Sequence, residues 1–225
     1  MIIAIDGPSG AGKSTLGKML AKRLGLLYLD TGAMYRAVAL AVIRKGLDFE
    51  EKGKAAEVAE NARIELVGEP DSLQIFIDGI DVSAEIRTPE IAEAASVVST
   101  NSDVRKTMVQ HQREIGNAAP DGCVLEGRDI GSVVFPDADI KFFLTAKPEA
   151  RARRRFEEDK AKGRESTYAQ TLAEINERDE RDVSRADSPL TISEDAVVID
   201  TSDLDLSEVF DSMLAKIKER KRAAA

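Results

Sequence analysis

Gly7-Pro8-Ser9-Gly10-Ala11-Gly12-Lys13-Ser14 follows the spacing G-x-x-x-x-G-K-[ST] in full. Those residue types suit one chemistry, the cradling of a polyphosphate. Glycines let the backbone curl until successive N–H groups point inward at phosphate oxygens. Lys13 brings a mobile cation to the β- and γ-phosphates, and the Ser14 hydroxyl is a hard oxygen ligand for Mg²⁺. A helix starting here aims its positive end at the same anion. The plain alternative is a glycine-rich turn before an ordinary helix. Such a match arises by chance in roughly one chain of this length per hundred, and requiring a strand before it and a helix after it lowers that further. Gly7–Thr15 is therefore expected to bind a nucleoside triphosphate. A carboxylate that holds the metal's water shell belongs at the end of a neighbouring strand. Glu126, at the exit of Val124-Leu125-Glu126, fits that place. An ordinary surface glutamate is the alternative.

Arginine carries the next signal. Arg36, Arg105, Arg128, Arg178 and Arg185 sit beside polar groups where the apolar pattern has just ended. A planar guanidinium grips phosphate oxygens in a way that a point charge does not. Arg178, Asp182 and Arg185 fall on one helical face. Glu174–Arg178 and Glu177–Arg181 are also spaced for the i,i+4 pairs of a surface helix. Spacing does not choose between these readings, and the phosphoryl acceptor stays open. The segment from Lys147 to Arg164 is different, with Arg151, Arg153, Arg154, Arg155, Lys160 and Lys162 crowded into an acidic protein. It suggests a lid closing over the triphosphate, with one or two of its arginines touching the transferring group.

These residues need elements to position them. Ile2 to Ile5 reads as a buried strand cut off by Asp6-Gly7-Pro8. Leu16, Met19, Leu20 and Leu24 mark a helix that Gly25 ends, and Leu26 to Leu29 a second strand closed by Asp30-Thr31-Gly32. A helix over about 33–44 follows. Strand, helix, strand, helix opens a parallel α/β sheet. Arg63 to Val67 and Leu73 to Ile77 then read as a hairpin, a small β insertion over 63–88. Helices are expected over 89–99, with Pro89 in the first turn, and over 103–116. Strands return at 123–126, 140–144 and 196–199, with helices at 148–162, 168–185 and 206–220. The three terminal alanines are expected to fray.

At 225 residues the chain suits one sizeable domain with an insertion, or two small ones. Apolar residues at 43% provide a core, and a formal charge of -9 argues against long nucleic acid or an anionic membrane as partners. One cysteine, Cys123, excludes an internal disulfide, and one histidine, His111, removes most metal constellations. Cys123 reads as a small core hydrophobe, and His111 as a surface or hinge residue. With no signal-like start and no apolar run of membrane length, a cytoplasmic location is expected.

Several stretches together resemble the bacterial cytidylate kinases, nucleoside monophosphate kinases of the P-loop class. They are Ile5 to Thr15, Leu29-Asp30-Thr31-Gly32-Ala33-Met34-Tyr35-Arg36, Glu85-Ile86-Arg87-Thr88, Gly127-Arg128-Asp129-Ile130-Gly131, Val134 to Ala138, and Arg178-Asp179-Glu180-Arg181-Asp182. The resemblance runs in order from about residue 2 to residue 220. It implies a parallel-sheet P-loop core over 1–62 and 100–225, a β-containing monophosphate-binding insertion over about 63–99, and a helical lid over about 151–166. It further implies ATP-dependent phosphorylation of CMP and dCMP, with Mg²⁺ accompanying ATP, by a monomer.

By the same resemblance, Ser96, Arg105 and Asp129 would contact cytosine, with Thr31 at a substrate-contact position that some relatives fill with serine. Arg36, Arg128 and Arg185 would hold the acceptor phosphate, and Asp182, beside Arg178, would reach the sugar. Lys13, Arg128, Arg178 and Arg153 form the expected catalytic set, and Ser14 and Glu126 the metal ligands. Glu126 stands where many relatives carry aspartate, one methylene shorter. A kinase with another acceptor, such as AMP, UMP or shikimate, is the nearest rival. A GTP switch lacks an N-K-x-D or T-K-x-D motif, and an RNA-directed protein would want more than seven Phe, three Tyr and no Trp.

Overall fold

The structure is a computed structural model that describes residues 1–49 and 53–223. In chain order the first elements are β1 (Ile2–Asp6), α1 (Lys13–Leu24), β2 (Leu27–Asp30), α2 (Thr31–Arg44) and α3 (Lys54–Asn61). Next come β3 (Ile64–Val67), β4 (Gln74–Ile77), β5 (Ile80–Asp81), α4 (Pro89–Val98) and α5 (Ser102–Ala118). The chain closes with β6 (Cys123–Gly127), a π-helical turn at Ile130–Val134, β7 (Ile140–Thr145), α6 (Pro148–Ala161), α7 (Tyr168–Ser184), β8 (Val197–Asp200) and α8 (Leu206–Ala223).

The apolar runs form one parallel sheet in the order β2-β6-β1-β7-β8. Ile3, Ala4, Ile5, Leu29, Val124 and Leu125 are fully buried, as strands covered by helices on both faces require. Because every strand runs the same way, the loops after β1, β2, β6 and β7 open at one edge, where ligands of open α/β sheets gather. That edge holds the phosphate loop, Asp30-Thr31, Arg128-Asp129 and the start of α6.

The local stops work as their chemistry predicts. Gly25 ends α1 in the left-handed region at φ 67. Thr88 caps α4, accepting from the Ile91 N–H, and Thr167 with Gln170 forms a full capping box on α7. Asp30-Thr31-Gly32 is the exception to the expected layout. Asp30 accepts from the Ala33 N–H at 2.8 Å, so the strand passes directly into α2, and Thr31 and Gly32 belong to its first turn. A short polar cap replaces the expected loop.

The expected hairpin forms and gains a third strand, giving an antiparallel sheet ordered β3-β4-β5. This sheet rests on the core through β4 against α2, and α4 also stacks on α2. Neither α3 nor β5 was expected from periodicity. α3 is short, with three alanines among its eight residues, and β5 is only a pair of residues. Ala223 ends α8 as helix, and the last two of the three terminal alanines lie outside the described residues. Among the described residues no helix is long and apolar enough to cross a membrane.

Candidate active site

The phosphate loop's carbonyls are held from behind. Pro8's carbonyl accepts from Lys13 Nζ at 2.8 Å, Ser9's from Arg151 Nη1 at 3.1 Å, and Ala11's from the Thr201 hydroxyl at 3.3 Å. With carbonyls drawn outward, the intervening N–H groups are left to face an anion. The turn needs glycine where it leaves β1 and enters α1. A side chain at Gly7 would collide with the Leu144 carbonyl, and Gly12 takes φ 93.

Lys13 is almost completely buried, and burial together with Arg128 brings its ammonium down to about 7. Burial, then Arg128, likewise brings Arg178 down to about 10. Burial is the larger cause in both, and the neighbouring cations add to it.

A second corner is built around Glu126. Glu126, 4% exposed, lies in register with Asp30 on the neighbouring strand. Burial, then Asp30, raises its carboxyl above the usual range. The Tyr28 hydroxyl donates to Glu126, and Ser14's hydroxyl also hydrogen-bonds to this pair. Among the described residues no three His, Cys, Asp or Glu side chains converge as a ready-made metal cage. A hydroxyl beside one buried carboxylate suits a hard cation that takes most of its oxygens from phosphate and water.

Beside this corner opens a cleft. Thr31, Arg36, Ser96, Arg105, Arg128, Asp129, Asp182 and Arg185 all line it, as does Arg178. Arg105 Nη2 donates to Asp129 Oδ2 at 2.5 Å, and Arg128 Nε to Asp182 Oδ2 at 2.7 Å. Burial alone would raise Asp182, but Arg128 and Arg178 outweigh it and hold the carboxylate below its ordinary range. Three buried arginine nitrogens have no hydrogen-bond partner: Arg105 Nε, Arg178 Nε and Arg185 Nη2. Buried donors are rarely left unpaired in a protein. All three of these arginines line the cleft.

α7 thereby resolves the two readings of its spacing. Arg181 does form the surface pair with Glu177, at 2.9 Å, while Arg178 turns inward and lines the cleft. Arg153 is not brought into the group. It is exposed on the side of α6 opposite Arg151, whereas the charge of Arg155 reaches Arg178. Ser96 lines the cleft with its hydroxyl accepting from Arg181 Nη1 at 2.9 Å. His111 lies half-buried in α5, outside the cleft lining, and Cys123 is fully buried, its thiol pushed up to about 11 by burial.

Residues 3–219 match the cytidylate kinase family. The chain belongs to that family. A cytidylate kinase of Caldanaerobacter subterraneus subsp. tengcongensis is 51% identical over 96% of this chain and 94% of its own length. One from Geobacter sulfurreducens is 46% identical over 99% and 95%. An uncharacterized protein from Eubacterium ventriosum shares the fold, at TM-score 0.52 and 14% identity over 97% of this chain and 98% of its own.

Some residues that shape this family member's site carry no signal in spacing. Asp6 accepts from the N–H groups of Ile130 at 2.8 Å and Gly131 at 2.7 Å, tying the loop behind Arg128 and Asp129 to the base of the phosphate loop. Arg113 holds the far end of that turn through the carbonyls of Val133 and Val134. Tyr35 lines the cleft, its ring centroid 5.7 Å from the Arg105 guanidinium carbon. Tyr28 and Arg151 are buried partners of Glu126 and the phosphate loop. An aromatic in an apolar run, or one arginine among several, reads as core or surface until the chain is folded.

Proposed function

We propose that the protein transfers the γ-phosphoryl group of ATP to CMP and dCMP, giving ADP with CDP or dCDP. Membership of the cytidylate kinase family carries the activity. The observation that carries the site is the cleft in which Arg105, Asp129 and Arg185 gather beside Lys13 and the phosphate loop.

ATP lies with its β- and γ-phosphates on Gly7–Thr15, against Lys13. Ser14 and, through water, Glu126 would hold Mg²⁺, which would supply positive charge against those phosphates. CMP enters the neighbouring cleft. Asp129 accepts from the cytosine amine, Arg105 donates to N3 or O2, and Ser96 and Thr31 offer hydroxyls. Uracil, which has no amine, would turn an acceptor of its own toward the Asp129 carboxylate, and that penalty is the source of selectivity. Arg36, Arg128 and Arg185 hold the acceptor phosphate, and Asp182 with Arg178 reaches the sugar.

An oxygen of the CMP phosphate bonds to the γ-phosphorus as the bond to the β,γ-bridging oxygen breaks. That phosphate is largely dianionic at neutral pH, with a second pKa of about 6, so it needs no strong base. Lys13, Arg128 and Arg178 stabilise the charge spread over the transferring group. Arg155 joins them from the lid segment 151–166 in place of Arg153, a choice supported by its proximity to Arg178. The segment 63–99 forms the wall against which the monophosphate binds. The enzyme works as a monomer, since one chain supplies every group named.

ADP formation with CMP, dCMP, UMP, AMP and GMP offered separately tests the reading. Fast turnover with CMP and dCMP and weak turnover with the others is expected. Rapid turnover with a different monophosphate would overturn the base assignment.

A further inference from the structure

Arg151 differs from the other buried arginines of the site. Its Nε donates to the Ala146 carbonyl at 2.9 Å, Nη2 to Asp179 Oδ2 at 2.5 Å, and Nη1 to both the Ser9 carbonyl at 3.1 Å and Asp179 Oδ1 at 3.0 Å. All three of its nitrogens are engaged, while Arg105, Arg178 and Arg185 each keep an unpaired one. Only 2% of Arg151 is exposed, so it is closed to bulk water. It also backs the phosphate loop by contact, since a Cβ at Gly10 would stand 3.1 Å from that of Arg151. Four of its five N–H groups are thus spent on the Ala146 and Ser9 carbonyls and on Asp179, which marks it as a structural link rather than a grip on substrate.

What it joins is informative. Ser9 is in the loop expected to hold the triphosphate. Asp179 is on α7, directly after Arg178 and one turn before Asp182, both of which line the monophosphate cleft. Nη1 serves the two elements at once, so moving either away from the other weakens both of its hydrogen bonds. We propose that Arg151 is a positioning residue that locks α7 to the phosphate loop through Asp179, so that filling of the triphosphate site and docking of the α7 side chains on the monophosphate favour each other. The inference rests on the two-substrate reading above, and it adds a physical link between the two halves of that site.

Coupling of this kind is reciprocal and measurable as a ratio of affinities. CMP is titrated by calorimetry into the full-length protein, with and without a saturating non-hydrolysable ATP analogue and Mg²⁺. In the wild type the analogue should tighten CMP binding about fivefold or more. Asp179→Asn keeps the shape of the side chain but removes its charge. It should bring that ratio close to one while leaving CMP affinity without the analogue within about twofold. Asp179→Glu, which restores a carboxylate, should recover most of the ratio. Asp179 is the safer position to change because its side chain is 23% exposed, and thermal unfolding checks that each variant is folded. A ratio of one in the wild type, or a full ratio retained in Asp179→Asn, would overturn the proposal. So would a loss of CMP affinity in that variant with the ratio intact, the mark of a merely structural pair. Failure of CMP to bind the wild type at all would instead sink the functional reading.

Discussion

Asp129 and Arg105 meet at 2.5 Å in the cleft, both almost fully buried, with Arg185 3.8 Å from the same carboxylate. A carboxylate held between two guanidinium groups stays in place. It therefore offers an acceptor of fixed position to a donor on the substrate. Asp129→Asn is expected to lower the ratio of kcat/KM for CMP over UMP by about tenfold, since an amide can also donate to uracil. An unchanged ratio would show that Asp129 does not read the base. Asn is the better test than Ala, which would leave two buried arginines without their counter-charge.

Lys13, brought down to about 7, is mostly neutral at pH 8. Triphosphate beside it favours the charged form, so ATP binding at pH 8 should take up about one proton, fading toward pH 6 where the lysine is already charged. Calorimetry in buffers of different ionisation enthalpy reads this directly. Lys13→Ala should abolish both the uptake and turnover. Equal uptake at pH 6 and pH 8 would place the titrating group elsewhere.

Asp6 is raised to about 6, by burial against the pull of its two backbone donors. The folded protein therefore holds this proton more tightly than the unfolded chain does. Stability is greatest below the ordinary carboxylate pKa and is lost as pH rises through about 6, by roughly 3 kcal/mol. Asp6→Asn lacks that loss. Denaturant unfolding at pH 4.5 and pH 7 should show the wild type falling relative to the variant by about 2 kcal/mol, since part of the loss lies below pH 4.5. The same variant should raise KM for CMP, because one of the two N–H groups behind Asp129 loses its acceptor. A parallel pH response in the two proteins would refute the linkage.

Glu126→Gln keeps the length of the side chain and removes its charge. The Mg²⁺ concentration for half-maximal velocity should rise by roughly tenfold or more, with CMP affinity in the absence of metal unchanged. An unaltered Mg²⁺ requirement would confine Glu126 to its bond with Tyr28.

The lid arginines divide by helical face. Arg155→Ala should lower kcat by about a hundredfold, while Arg153→Ala, on the exposed face of α6, should stay within about twofold. Steady-state kinetics with saturating ATP and CMP separates them. The reverse order would return Arg153 to the catalytic group.

Much of this molecule is legible in local chemistry. Gly7 to Ser14, the apolar runs that become β1, β2, β6, β7 and β8, Pro89 in the first turn of α4 and Gly25 at the end of α1 all act through their own backbone preferences. Those preferences are present in the chain before it folds. The first turn of α2 was misread because an aspartate cap and a loop carry the same residue types. α3 and β5 escaped because short elements owe their stability to what they pack against.

The phosphate loop, the parallel α/β class and, through motifs spread over nearly the whole length, the residues that line the cleft are legible in the chain before it folds. Tertiary structure alone decided which arginines are open and which are closed. Arg151 and Arg153 are two positions apart on one basic helix, yet one is sealed between Ser9 and Asp179 and the other faces water. That difference follows from partners more than a hundred residues away for Ser9, and from burial, which alone turns an unpaired guanidinium from a solvated surface group into a charge that needs a substrate.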